Sequence, residues 1–166
     1  KLINETTPYL GAKLSASEAA LLLRGLRTLP LRLQRHQESA LMIAKRISDH
    51  PTVTAVHHPG LSPAPHSLLS GYGGLFSFEV DNSINIPAFC NSLDLFRLGV
   101  SWGGYESLIM PAEVSINQAG SPSAAIDFGV PTRLIRLFVG LDDPKDLWQD
   151  LHAALASALS SDTSNA

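Results

Sequence analysis

The chain is poor in several things that would each point to a function. It has one cysteine, Cys90, among 166 residues. No internal disulfide can form, and the expected location is a reducing compartment, the cytoplasm. Positive charge is scarce: a formal net charge of −3 leaves no basic field that could hold nucleic acid or an anionic membrane. Long apolar runs are missing too, because Leu21-Leu22-Leu23 and the stretch from Leu134 to Val139 fall far short of a membrane span. The first residues carry Lys1 and Glu5 and no apolar segment, so no signal peptide is visible. The sequence opens without methionine, which fits a fragment of a longer protein. Also absent are a phosphate-cradling glycine loop followed by Lys-Ser/Thr, a His-Glu-x-x-His pair and a nucleophile elbow. A self-sufficient catalytic site is therefore not expected in this chain.

What is present belongs to a folded domain. Hydrophobic residues make up 45% and charged residues 16% of the chain, which excludes a disordered polymer. The length suits one domain with a real core, or one domain plus a helical arm. Pro8 and Gly11 argue against one helix through residues 1–12. Ser15-Ala16-Ser17-Glu18 reads as a capping box, with Ala19, Leu22, Leu23 and Leu26 behind it at helical spacing. Pro30 predicts a kink or break, and Leu33, Gln37, Ala40, Leu41, Ala44 and Ile47 mark a second helical stretch ending near Asp49. Val53 to His57 is a strand by composition, and the Pro-, Gly- and Ser-rich residues 58–74 are a surface loop. In Leu75 to Val80 the residues Phe76, Phe78 and Val80 alternate with Ser77 and Glu79, a half-buried strand.

Ile84 to Leu93 predicts a short helix with Pro87 in its first turn, and Leu95 to Val100 a strand. Residues 111–132 give no single pattern. Leu134 to Val139 is a strongly apolar strand carrying one charge, Arg136. Asp143-Pro144 then opens a last helix, with Asp143 as N-cap and a buried stripe of Leu147, Leu151, Leu155 and Leu159. The tail after Ser160 is expected to fray. The fold class that follows is α+β: a two-layer sandwich of a mostly antiparallel, about four-stranded sheet with helices on one face, preceded by a long kinked helix. Residues 1–50 form the linker segment and long helix, and residues 51–166 the α+β domain.

Three features could carry chemistry. Ser101-Trp102-Gly103-Gly104-Tyr105-Glu106-Ser107 follows a predicted strand, and its paired glycines permit unusual backbone angles and close approach of a ligand. The same residues also suit an ordinary tight turn with a half-buried tryptophan. Arg136 needs a partner for its planar fork. An internal acid such as Glu106 or Asp127 would serve, and so would a substrate carboxylate. The histidines are His36, His50, His57, His58, His66 and His152. His57-His58 with His66 invites a metal reading, but adjacent strand residues point to opposite faces and Cys90 stands alone, so no metal site is expected.

The stretch from Arg24 to His36 resembles the helix that enters the small domain of the pyridoxal-phosphate (PLP)-dependent Cys/Met metabolism family. The likeness continues through His50-Pro51, Val56-His57-His58-Pro59-Gly60-Leu61 and Gly74-Leu75-Phe76-Ser77-Phe78. It is strongest from Leu98 to Leu108 and ends with Leu134 to Asp143 and the helix behind. Trp102 after Ser101, and Ile126-Asp127-Phe128-Gly129 before Leu134-Ile135-Arg136, are most similar to bacterial cystathionine β-lyases.

The resemblance implies that the chain is the C-terminal small domain of a PLP-dependent carbon–sulfur lyase acting on a sulfur amino acid. Arg136 would bind the substrate α-carboxylate, assisted by Ser101 and Trp102. Holding that carboxylate fixes the Cα–H bond against the cofactor ring, as the chemistry requires. The family's cofactor-binding and catalytic groups, its Schiff-base lysine included, would lie outside this chain. Lys1, Lys13, Lys45 and Lys145 all lack that lysine's Ser-x-Thr-Lys-like context. The fragment alone is expected to be inactive, and its parent to be a cytoplasmic homotetramer. A γ-synthase or γ-lyase of the same family, and a stand-alone binding or oligomerisation module without catalysis, are the alternatives.

Overall fold

The structure is a computed structural model and describes residues 6, 9, 11, 13–62, 69–117 and 124–159. Two compact units are present, Lys1–Arg32 and Leu33–Ala166.

In the first unit the capping box forms as its residues dictate. The Glu18 N–H donates to Ser15 Oγ, and the Ser15 N–H donates to Glu18 Oε2, each at 3.2 Å. They open helix α1, Ala16–Ser48, which continues into the second unit. Of the kink or break expected at Pro30, a break does not occur: the proline lies inside one long helix, as expected of a long helix through this stretch. Leu21, Leu22, Leu23 and Leu26 are exposed.

The second unit follows with β1 (Val53–His57), a 3-10 turn (Pro59–Leu61), β2 (Leu75–Val80), α2 (Ile86–Asn91), β3 (Arg97–Leu98) and β4 (Leu108–Pro111). Then come α3 (Ala112–Asn117), α4 (Ala124–Asp127), β5 (Leu134–Phe138) and α5 (Pro144–Ser157). Part of the expected 58–74 loop, with His66, and the tail after Ser160 lie outside the described residues.

The sheet has five strands in the order β1-β2-β5-β4-β3, antiparallel except for the parallel β3–β4 pair. The α+β class therefore holds, with one strand more than the four expected and one parallel pairing. The extra strand is β4. Leu108-Ile109-Met110-Pro111 carries no sequence alternation and owes its identity to pairing with β5. The strand expected over Leu95 to Val100 shrinks to Arg97–Leu98, where the pairing with β4 ends.

Period-two alternation divides the sheet's faces. Phe76, Phe78, Val80, Ile109, Ile135, Leu137 and Val139 bury themselves in one core. Ala40, Ile43, Ala44 and Ile47 of α1, Ile86 and Phe89 of α2, and Leu147, Leu151 and Leu155 of α5 join them there. The helices that share this core thus serve one face, as expected. Asp143 caps α5, its carboxylate accepting the Lys145 N–H at 2.8 Å, with Pro144 in the first turn. The stripe stops one leucine early: α5 ends at Ser157, and Leu159 is half exposed, bridged to Ile84.

Candidate functional site

Arg136 sits mid-strand in β5 between Ile135 and Leu137, which are both fully buried. Alternation turns it to the face away from that core, where its direct cross-strand neighbours are Ser77 on β2 and Met110 on β4. An arginine can therefore interrupt an apolar strand without entering the core. The side chain reaches past β4: its Nη2 donates to the Val100 carbonyl at 2.7 Å and to the Gly99 carbonyl at 3.3 Å.

Those carbonyls orient the guanidinium but cannot neutralise it. Among the described residues Arg136 has no carboxylate partner, and the one ion pair is His57–Glu79 at 2.7 Å. Neither Glu106 nor Asp127 takes the role of internal counter-ion. Nε and Nη1 keep their N–H groups free of any partner in the described residues, so an unspent fork remains for an anion.

The two carbonyls belong to the residues just before Ser101, which ties Arg136 to the start of the Ser101–Ser107 turn. No hydrogen bond joins the arginine to the side chain of Ser101 or Trp102. Ser101 is exposed. Trp102 is 65% exposed and Tyr105 71%, so the half-buried tryptophan considered above is not what forms. Gly103 has φ +85°, a left-handed conformation that side chains disfavour, and it lets the turn reverse.

The far end of the turn is fastened by residues whose role the sequence does not reveal. Ser107 is 2% exposed; its Oγ donates to Asp142 Oδ2 at 2.6 Å and accepts the Gly140 N–H at 3.1 Å. The Leu141 N–H donates to the Tyr105 carbonyl at 2.9 Å, and the Arg97 N–H to the Ser107 carbonyl at 3.0 Å. Gly140 has no side chain for a reason: a Cβ there would run into the Tyr105 carbonyl and the Glu106 backbone. The available signal was the pair of motifs Glu106-Ser107-Leu108 and Gly140-Leu141-Asp142, but nothing in either showed that they meet.

The histidines separate. His57 lies on the Arg136 face, opposite Ser77, and pairs with Glu79. His58 turns inward and is 3% exposed. Among the described residues no three His, Cys, Asp or Glu side chains group to hold a metal. An apolar cavity of about 430 Å³ between α2, β3 and α3 is lined by Cys90, Leu98, Pro111 and Val114, and Arg136 is not in its wall.

The family described as Cys/Met metabolism PLP-dependent enzyme matches residues 2–156. The chain belongs to that family. The cystathionine beta-lyase MetC of Escherichia coli (strain K12) is 40% identical over 162 residues, which is 93% of this chain and 40% of that protein. The L-methionine gamma-lyase of Pseudomonas putida is 37% identical, over 89% of this chain and 39% of that protein. The crystal structure of cystathionine gamma-lyase from Lactobacillus plantarum complexed with L-serine superposes with a TM-score of 0.80 at 33% identity, over 90% of this chain and 41% of that one. The chain thus spans about two fifths of the length of the relatives it matches.

The cofactor of this family is PLP, and the described residues do not by themselves form a site for it. Lys13, Lys45 and Lys145 are all exposed. What the site offers the family's chemistry is an oriented, unpaired guanidinium beside an aromatic-bearing turn.

Proposed function

We propose that the chain supplies substrate α-carboxylate recognition to a PLP-dependent carbon–sulfur lyase of the cystathionine β-lyase type. In the whole enzyme, L-cystathionine and water would yield homocysteine, pyruvate and ammonia. The observation that carries the reading is the Arg136 fork: two neutral carbonyls hold it in place, and no acid among the described residues consumes it. A planar guanidinium binds a carboxylate at two points, which fixes orientation as well as affinity. Ser101 would complete the anchor, and the exposed Trp102 ring would wall the site against water. When bound, PLP supplies the electron sink for bond cleavage; this chain's part is to hold the amino acid at a set angle to it. The likeness to cystathionine beta-lyase supports the β-acting assignment.

Full-length protein carrying Arg136→Gln decides the role of the arginine. Loss of a charge-assisted, bidentate contact of roughly 1.5–3 kcal/mol should lower kcat/KM for L-cystathionine by about 10- to 150-fold. Activity on an analogue lacking the carboxylate should change little. An unchanged kcat/KM for cystathionine refutes the role. Pyruvate as the product supports β-elimination, whereas 2-oxobutyrate would assign the enzyme to the γ-acting relatives. The 166-residue chain mixed with PLP should develop no absorption band of bound cofactor and release no pyruvate.

A further inference from the structure

The Ser101–Ser107 turn is clipped to β5 and the segment behind it at both ends, by opposite charges. At its start Arg136 holds the Gly99 and Val100 carbonyls. At its end the Ser107 hydroxyl donates a hydrogen bond to the Asp142 carboxylate, and the Ser107 oxygen accepts one from the Gly140 N–H. The order of donation matters. A serine hydroxyl has one proton, and committing it to a carboxylate leaves the oxygen lone pairs for the Gly140 amide. A hydrogen bond to an ionised acceptor is about twice as strong as a neutral one. The two backbones lie in contact at Gly140, so the clip permits little play.

We propose that Ser107 and Asp142 are positioning residues for the carboxylate site, setting where the Ser101–Trp102 backbone stands relative to the Arg136 guanidinium. This rests on the function proposed for Arg136. Neither residue touches substrate. They act through the Tyr105–Leu141 and Ser107–Gly140 hydrogen bonds. An anchor gripped equally in ground and transition state shows itself in KM, so loosening it raises KM more than it lowers kcat. A merely destabilised protein behaves differently: it loses active molecules, and kcat falls at constant KM.

The test uses the full-length holoenzyme with Asp142→Ala, Asp142→Asn and Arg136→Gln. Asp142 is exposed, so its replacement opens no cavity in the core. For Asp142→Ala, KM for L-cystathionine should rise roughly tenfold with kcat within about threefold. Hydrogen exchange at the Gly140, Leu141 and Arg97 amides should quicken at least about tenfold while β2 amides keep wild-type rates. Asn keeps an acceptor oxygen, so Asp142→Asn should bring both readouts within about threefold of wild type. Wild-type KM and exchange in Asp142→Ala, with KM raised in Arg136→Gln, overturn the positioning role alone. A fall in kcat at constant KM also overturns it. If Arg136→Gln itself leaves KM unchanged, the carboxylate reading fails, and the exchange rates still report whether the clip holds the turn.

Discussion

Acid should destabilise this protein through His58, and the structure sets the direction. His58 stands at the end of β1 and caps the 3-10 turn: its Nδ1 accepts the Gly60 N–H at 2.9 Å. The ring is 3% exposed, with the Tyr72 and Phe76 rings edge-on at 5.8 and 5.6 Å. Acceptance at Nδ1 places the proton of the neutral ring on Nε2. A second proton would have to enter at Nδ1, setting N–H against N–H in an apolar pocket. Burial accordingly lowers the His58 pKa below 6.5. A folded-state pKa below the unfolded one means that the unfolded chain binds more protons between the two. The stabilisation is therefore complete above about pH 6.5 and is lost as pH falls towards the folded value. The steepest slope one group can give is about 1.4 kcal/mol per pH unit. His50, lowered first by burial and then by its neighbour His152, adds a contribution of the same sign. In His58→Asn a side-chain oxygen replaces Nδ1, so the cap persists and the titration vanishes. Urea unfolding of the 166-residue chain at pH 7.5, 6.5 and 5.5 checks this. The variant should be less stable at pH 7.5, having lost ring packing, but should lose less stability on acidification, by up to about 1.4 kcal/mol per unit. A variant with the wild-type slope would refute a buried neutral His58.

Two further outcomes follow from single contacts. Gly140→Ala drives a Cβ into the Tyr105 carbonyl and Glu106 backbone, neither of which is a flexible side-chain end. Overpacking of this kind should cost about 1–3 kcal/mol in urea unfolding, with lost exchange protection at Leu141. Burial raises the Cys90 thiol pKa to about 11, so at pH 8 only about 0.1% should be thiolate. Its reaction with a disulfide reagent should be at least tenfold slower in the folded protein than in urea, and equal rates would overturn the assignment.

How far the sequence could be read depended on how local the cause was. β2 and α5 were legible because their cores repeat with their own periods, Phe76-Phe78-Val80 at two and Leu147-Leu151-Leu155 at four. The Ser15–Glu18 and Asp143 caps were equally local. Pro30 left a kink and a break both open, because a single missing donor removes one rung of the ladder, and in α1 that loss does not end the helix. β4 was missed because its four residues are extended only by virtue of β5 beside them. Arg136 announced itself as a charge in an apolar strand, but its surroundings depend on register. Only the sheet order brings Gly99 and Val100 within its reach, and only the same order shows that Glu106 and Asp127 stay away from it.

The parallel pairing of β3 with β4 explains why the turn stands where an arginine on β5 can hold it. Parallel neighbours ordinarily need a crossover of a dozen or more residues, usually through a helix. Here Arg97 pairs with Leu108 and Leu98 with Ile109, and residues 99–107 must carry the chain out of one end of the sheet and back in at the other. So short a return leaves no room for a helix, and the reversal falls on a left-handed glycine, Gly103. The carbonyls of Gly99 and Val100 leave the ladder as the strand ends and are open to donors from elsewhere. Arg136, two strands inward from β3, supplies the N–H groups. Bonding those carbonyls uses one nitrogen of the fork and leaves the rest of it without a partner among the described residues. The same short connection thus sets where the proposed anion site stands, and a shorter cation at position 136 would serve neither the carbonyls nor that site. Lysine there retains the charge but not the planar fork, so Arg136→Lys should recover only a minor part of the kcat/KM lost in Arg136→Gln. Full recovery by lysine would mean that charge alone, and not the geometry set by the β3–β4 connection, is what the site provides.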